Sequence, residues 1–302
     1  MCYNKEEVFL PEKNLFDGYA RFAFERDFDL SKHSSVQIGG KAKIAFCPQS
    51  VAELCALLQK LEKDGIEYYV LGNATNVLPA DEGTEKAIVR MKNLSGISLK
   101  GNAFVYAGAT AGKLLSMCRQ NGKSGAEFLY GIPCSIGGAL FMNAGAGGVY
   151  IDGIVENVLV YRKGKTELLS ARDCKYAYKR SVFMDEGGVI IGATLRLKAE
   201  TEEKIMEREN YFSFRRAKLP KGKSMGCVFK NPDGISAGEL IEKSGLKGLR
   251  VGGACISVEH ANFIINEKKA TAKDVKALIA MIKNAVLAQY NVRLEEEIRY
   301  LD

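Results

Sequence analysis

Residues Gly131–Gly148, GIPCSIGGALFMNAGAGG, decide how this chain is read. The stretch carries six glycines and three further small residues, Ala139, Ala144 and Ala146. Glycine loses more backbone freedom on ordering than any other residue, so helices and strands avoid such density. Glycines gathered like this serve places where the backbone must approach something closely. Successive N–H groups in such turns form concavities that suit a pyrophosphate. The apolar flanks Phe128-Leu129-Tyr130 and Leu140-Phe141-Met142 can anchor the segment in a core. Alone, it fits either an anion-embracing loop or a run of tight turns in a packed domain.

Upstream, Tyr68-Tyr69-Val70-Leu71 reads as a buried strand running into Gly72-Asn73-Ala74-Thr75-Asn76. A strand ending in glycine and small polar residues can present amides to a phosphate, and it can equally be a plain turn. Before it, Ser50-Val51-Ala52-Glu53 has the form of a capping box. Leu54, Leu57, Leu58 and Leu61 follow at helical spacing, which predicts an amphipathic helix over 51–63 closed by Gly65. Ser34–Gly40 followed by Ile44-Ala45-Phe46 reads as strand, glycine turn and strand. Residues 1–30 predict an N-terminal helix or extended arm. Short strands are expected at 87–89, 97–99 and 104–107, and Thr110 caps a helix bearing Leu114, Leu115 and Cys118. The segment GATAGK from Gly108 to Lys113 is one residue short between its glycines and lacks the metal-binding hydroxyl, so it is no P-loop.

Downstream, 154–161 and 189–197 read as strands, and the polar run Ala199–Arg208 as a connector. Ser236-Ala237-Gly238-Glu239 is a second capping-box pattern. Thr271 opens a long helix bearing Val275, Leu278, Ile279, Ile282, Val286 and Leu287. Strands mixed with helices and no repeated unit point to an α+β protein. The expected division is an arm at 1–30, a first domain at 31–200 in subdomains of about 31–93 and 94–200, and a C-terminal domain at 201–302.

The 302 residues are 47% hydrophobic and 26% charged, with a net charge of +7 spread along the chain. That is an ordinary globular composition without a nucleic-acid footprint, although the sign suits an anionic small substrate. Eight scattered cysteines with no C-x-x-C pair, and only two histidines, argue against a zinc site and a disulfide scaffold. No metal is expected. The start MCYNKEEVFLPEKN lacks the apolar core of a signal peptide, and no apolar run is long enough to span a bilayer. A cytoplasmic protein acting on small molecules, monomeric, with no membrane or nucleic-acid partner, is expected.

The motifs SSVQIGG, LGNATNVL, GIPCSIGGALFMNAGAGG, YKRS, GCVFKNP, AGELIEKSGLKGLRVGGACISVEHANFIIN and LEEEIR occur in that order from Ser34 to the C-terminus. The ordered set resembles the UDP-N-acetylenolpyruvoylglucosamine reductase family, in the shorter form without an extra substrate-covering loop. The resemblance implies a vanillyl-alcohol-oxidase-type FAD-binding module of two α+β subdomains plus a C-terminal α+β substrate-binding domain. It puts FAD on Leu71, Gly72, Asn73, Ala74, Thr75, Asn76 and Val77. A second FAD-holding segment is Gly131, Ile132, Pro133, Cys134, Ser135, Ile136, Gly137 and Gly138, joined by Asn143, Ala144 and Gly145.

The implied activity is NADPH-dependent reduction of a UDP-sugar enolpyruvyl ether to UDP-N-acetylmuramate in peptidoglycan precursor synthesis. Hydride reaches the methylene carbon through FAD, negative charge builds on the neighbouring carbon and its carboxylate, and a proton must then arrive. Cys227 stands at the family's proton-donor position, usually serine. A thiol ionises near about 8.5, so it gives up a proton more readily than a hydroxyl. Glu297 matches the catalytic glutamate, and in an extended segment it shares a face with Glu295 while Glu296 points away. The family's arginine position holds Lys179, so either Lys179 or its neighbour Arg180 meets the substrate carboxylate. On a strand the two would face opposite ways. Tyr178, Lys230, Asn231, Glu259, His260 and Asn262 are implied on the substrate side. Cys134 replaces a usual glycine and Gly147 a usual tyrosine. Two rival readings remain: another FAD-dependent oxidase or dehydrogenase of this fold, and a catalytically degenerate nucleotide-sugar-binding protein.

Overall fold

Leu54, Leu57, Leu58 and Leu61 are fully buried along one side of the helix Val51–Lys63. Each contributes roughly 1.5–3 kcal/mol by leaving water, against about 1 kcal/mol for an N-cap, so the leucine stripe sets the helix's seat. Ser50 accepts the amide of Glu53, but the Glu53 carboxylate takes the amide of Gln49 at 2.7 Å, one residue earlier than a capping box requires. The protein is described here from a computed structural model covering residues 16–232 and 234–302. The helix shares its core with a four-stranded sheet in the order Phe24–Asp29, Lys41–Phe46, Ala87–Arg90, Tyr68–Leu71. The last three strands run parallel.

A second sheet, antiparallel throughout, has the order Lys165–Ser170, Val155–Arg162, Val189–Leu195, Ala103–Tyr106, Ile97–Ser98. The helices Ala111–Gln120 and Ile136–Met142 lie in the same hydrophobic core. A separate core gathers the helices Ala237–Lys243 and Ala272–Tyr290 with the small sheet Arg250–Val251, Ala254–Ile256, Ile264–Asn266. Thr271 and Asp274 complete a reciprocal cap on the long helix. Its buried face is Val275, Leu278, Ile279, Ile282 and Val286, whereas Leu287 is exposed.

Val36, Ile38 and Leu78 insert into this C-terminal core. In return the last strand, Arg299–Leu301, pairs in parallel with Val77–Pro79, directly after the loop at 72–76. The two regions are therefore interlocked at that loop.

Five local expectations are corrected. Of the expected N-terminal helix or arm, residues 1–15 lie outside the described residues, while Phe24–Asp29 is a sheet strand. Ser34–Gly40 forms no strand; the chain there is irregular and its apolar residues plug the other core. Tyr68–Leu71 is a strand, but only Leu71 is buried. The polar connector at 199–208 enters the helix Glu202–Arg216, capped by Thr201 and fixed to the first region by the Arg119–Glu209 ion pair at 3.2 Å. The glycine stretch is not all loop, because Ile136–Met142 is helical with Ser135 as its cap.

Candidate active site

Two loops close on each other at the heart of the molecule. A Cβ built at Gly72 would lie 1.9 Å from Ser135 Oγ, so only glycine lets the loop at 72–76 meet the segment at 131–138. Asn73 Nδ2 donates to Pro133 O at 3.0 Å across the same seam. Ala74 holds a φ of 50°, which turns the loop sharply. The amides of Asn73, Ala74 and Thr75 donate to no group among the described residues. These are the unsatisfied donors that an oxyanion satisfies. On the facing side Ser135 Oγ accepts Gly138 N at 3.2 Å. Cys134 sends its side chain into the core, where burial pushes the thiol up to about 11. The extra carbon therefore stays out of the seam.

The end of the glycine stretch turns on Gly147 and Gly148, with φ of 63° and 82°, between the paired strands Gly145–Ala146 and Val149–Tyr150. A two-residue hairpin turn of this hand needs positive φ at both positions. Glycine in place of a tyrosine at 147 is what that turn favours.

Tyr178-Lys179-Arg180 is a tight turn and not a strand. Ala177 and Arg180 exchange backbone hydrogen bonds of 3.1 Å each, and Lys179 has φ of 53°. Asn143, the left-handed cap of the helix Ile136–Met142, donates from Nδ2 to Ala177 O at 3.0 Å. Ser181 Oγ donates to Phe141 O at 2.6 Å. The turn is thus pinned to the end of the glycine stretch. From it Lys179 Nζ reaches Glu297 Oε1 at 2.7 Å, while Arg180 turns away to Asp185 at 3.1 Å. Burial alone would pull the Lys179 ammonium down, but the Glu297 charge and hydrogen bond outweigh it and hold Lys179 above the usual lysine value.

Cys227 opens a segment wedged between two others. Val228 N donates to Asn262 O and Glu297 N to Val228 O, each at 2.8 Å. Asn262 is buried and bonds both the N–H and the C=O of Phe229 with its amide. Asn76, from the first loop, donates to Glu297 O at 3.1 Å. Cys227 lies in the electrostatic field of Glu297 and Lys179, and burial followed by the Glu297 charge pushes its thiol up to about 12. Cys227, Lys179 and Glu297 therefore form one cluster beside the two loops. Glu295 pairs with Lys230, and Glu296 points elsewhere, to Lys283 and Tyr300.

The UDP-N-acetylenolpyruvoylglucosamine reductase C-terminal domain model matches residues 218–301, and an FAD binding domain model matches 42–163. The UDP-N-acetylenolpyruvoylglucosamine reductase of Geobacter metallireducens is 39% identical over 93% of this chain and 97% of its own. That of Clostridium beijerinckii is 34% identical over 95% and 96%. The crystal structure of UDP-N-acetylenolpyruvylglucosamine reductase from Thermus caldophilus superposes with a TM-score of 0.83 at 35% identity, covering 93% of this chain and all of that one. The chain belongs to the UDP-N-acetylenolpyruvoylglucosamine reductase family. The fold is accordingly α+β, with an FAD binding domain and the C-terminal domain of this family.

The free amides at 73–75 and the glycine-enforced closeness of Gly72 to Ser135 fit the pyrophosphate of FAD. Around the cluster, Tyr178 Oη accepts Asn231 N at 3.2 Å, and Asn231 Oδ1 caps the helix Ala237–Lys243 at Ala237 N. Glu259 is exposed, and His260 packs on Gly238 and Phe263. Among the described residues no contact joins either to the Cys227 cluster. Asn262, with both ends of its amide on Phe229, positions the Cys227 segment. Among the described residues no group of histidine, cysteine, aspartate or glutamate has the arrangement of a metal site, and no helix is long and apolar enough to cross a membrane.

Proposed function

We propose that this chain reduces UDP-N-acetylglucosamine enolpyruvate to UDP-N-acetylmuramate with NADPH and FAD, in peptidoglycan precursor synthesis. The observation that carries the reading is the meeting of Cys227, Lys179 and Glu297 beside the loops at 72–76 and 131–138. When bound, FAD supplies the hydride chemistry between NADPH and the methylene carbon of the enolpyruvyl group.

The chain's own residues supply the rest. Gly72–Asn76 and Gly131–Gly138 hold the cofactor, with Asn143, Ala144 and Gly145 at its ring end. Lys179 has three N–H donors and gives one to Glu297, which leaves two for the substrate carboxylate. There it stabilises the negative charge that builds as hydride arrives. Cys227, whose raised pKa keeps the sulfur protonated, donates the proton to the carbon next to the carboxylate. Glu297 orients Lys179 and shares the charge of the site. Tyr178, Lys230 and Asn231 contact the nucleotide sugar. In this reading residues 31–200 hold the flavin, and the chain beyond supplies Cys227 and Glu297. The chain would act as a monomer in the cytoplasm; the seven described cysteines are all free, which suits a reducing compartment.

The test is a flavin assay in two halves. Purified protein should carry or take up FAD, NADPH should bleach it without oxygen, and the enolpyruvyl substrate should restore the colour. A protein that binds no FAD, or whose reduced flavin is reoxidised by oxygen and not by the substrate, rejects the proposal.

A further inference from the structure

Three glutamates stand in a row at 295–297, and each is engaged in a different direction. Glu297 faces Lys179 and the Cys227 cluster, and Glu295 meets Lys230. Glu296 is turned to the far side. Its Oε1 accepts Lys283 Nζ, on the helix Ala272–Tyr290, at 2.8 Å. Its Oε2 accepts the hydroxyl of Tyr300. Both carboxylate oxygens are therefore taken. Tyr300 remains a donor, because burial and then the bond to Glu296 hold its hydroxyl well above the usual tyrosine value. The Glu296 side chain is 20% exposed, so this bracket is less open to water than an ordinary surface ion pair.

The segment that carries Glu297 depends on such a hold. The chain from 291 to 298 is irregular, and one isolated bridge, between Phe229 and Glu296, joins it to the Cys227 segment. Glu297 N donates to Val228 O at 2.8 Å, and Glu297 O accepts Asn76 Nδ2 at 3.1 Å. Those two bonds lie in the plane of an extended backbone, whereas its side chains leave that plane alternately above and below. They leave the segment room to tilt, and a tilt moves the Glu297 carboxylate. An anchor on the opposite face resists it, and Glu296 supplies that anchor. Its two partners are themselves fixed. Lys283 stands on the long helix of the C-terminal core, and Tyr300 lies in the strand that pairs with Val77–Pro79, directly after the flavin-holding loop. The contact between Glu297 and Lys179 has little slack, since at 2.7 Å a displacement of about 1 Å breaks a hydrogen bond.

We propose that Glu296 is a positioning residue for the reduction, its bracket on Lys283 and Tyr300 aiming Glu297 at Lys179. The proposal rests on the functional reading above. A carboxylate held by a lysine and a tyrosine could equally serve stability alone, so the test must separate stability from aim.

Glu296→Ala, Glu296→Gln and Tyr300→Phe are compared with the unaltered FAD-loaded protein by single-turnover mixing in each half-reaction, alongside the melting temperature. Glu296→Ala should slow reoxidation of the flavin by saturating enolpyruvyl substrate by roughly tenfold, with reduction by NADPH within about twofold. Glu296→Gln keeps a carbonyl oxygen for the bracket and should recover much of that rate. Tyr300→Phe keeps the lysine arm and should fall between. In a Glu297→Ala background, Glu296→Ala should slow reoxidation by less than about a further twofold, because no carboxylate is left to aim. Reoxidation within about twofold of normal in Glu296→Ala overturns the proposal, whether or not the melting temperature moves. Equal slowing of both half-reactions, or the full tenfold loss repeated in the Glu297→Ala background, also overturns it, since either marks a merely structural role. If Glu296→Ala does not fold, Tyr300→Phe and Lys283→Met, each removing one arm, carry the same comparison. If the substrate fails to reoxidise the flavin of the unaltered protein, the functional reading fails, and that outcome is distinct from one in which protein and variants reoxidise equally.

Discussion

Lys179 Nζ lies 2.7 Å from Glu297 Oε1, across 118 positions of sequence. The pair is 17% and 12% exposed and ties the turn pinned against the end of the glycine stretch to the segment just ahead of the last strand. It makes the choice between two adjacent cations, because Arg180 is exposed and engaged with Asp185. Lys179→Met should slow substrate-driven flavin reoxidation by roughly two orders of magnitude. It should also destabilise the fold by about 1–3 kcal/mol by leaving Glu297 unpaired. Arg180→Ala should change stability by less than about 0.5 kcal/mol and leave both half-reactions near normal. Stopped-flow of each half-reaction with thermal unfolding decides; a larger effect from Arg180→Ala would reverse the assignment.

Cys227 should act as a neutral acid. With its thiol pushed up to about 12, it stays protonated at working pH. Cys227→Ser should keep substantial activity, since the hydroxyl can also donate. Cys227→Ala should slow flavin reoxidation far more than flavin reduction. Equal losses in both half-reactions would remove the proton-donor role. The same protonation predicts slow alkylation of Cys227 by iodoacetamide near neutral pH, read by peptide mass spectrometry.

Alkaline stability follows from the buried thiols. Cys118 and Cys227 are pushed up to about 12, and Cys134 and Cys174 to about 11, in each case first by burial. In the unfolded chain these thiols ionise near about 8.5. Above that pH the unfolded state therefore binds fewer protons than the folded one, and stability falls as pH rises. The slope is at most about 1.4 kcal/mol per pH unit for each thiol. It persists until the folded thiols themselves ionise. Urea unfolding between about pH 8 and pH 10 should show the loss, with Cys118→Ser flattening the curve. A stability that is constant or rising over this window contradicts the burial assigned to these sulfurs.

Gly72→Ala should abolish tight FAD binding while sparing the rest of the fold. The new carbon has no room beside Ser135 Oγ and must part the two loops. Gly65→Ala is the control, because nothing lies within 4 Å of its added carbon and only its φ of 66° is penalised, at about 1 kcal/mol. Fluorescence titration with FAD reads both. Normal FAD affinity in Gly72→Ala would mean that the seam is not where the cofactor lies.

Asn262→Ala should be among the most destabilising single changes in the C-terminal region, at roughly 2–4 kcal/mol. It strips partners from two buried backbone groups of Phe229 at once. Chemical denaturation measures it, and a loss below about 1 kcal/mol would show that water or backbone movement replaces the amide.

Much of the fold could be read along the chain. The leucine spacing at 54–61 and the cap at Thr271 gave helices that occur at 51–63 and 272–290, because amphipathic period and capping are local properties. Ser34–Gly40 and Ala199–Arg208 were misread for the opposite reason. Val36 and Ile38 are apolar because they plug a core built from residues more than a hundred positions later, not because they alternate in a strand. Polar Glu202–Arg208 is helical because Ile205 and Glu209 dock on the first region.

Read alone, the glycines of 131–148 and the loop at 72–76 leave an anion-holding loop and a plain turn equally open; the ordered set of motifs from Ser34 to the C-terminus, through its resemblance to one family, implied a dinucleotide-holding enzyme. Two matters waited for the folded chain: that Lys179 and not Arg180 meets Glu297, and that Asn143 and Asn76 tie the Lys179 turn and the Glu297 segment to the two loops. Each depends on which way a side chain leaves a turn or a helix end, and on what distant segment packs there. Long-range packing fixes that, and no spacing along the chain encodes it.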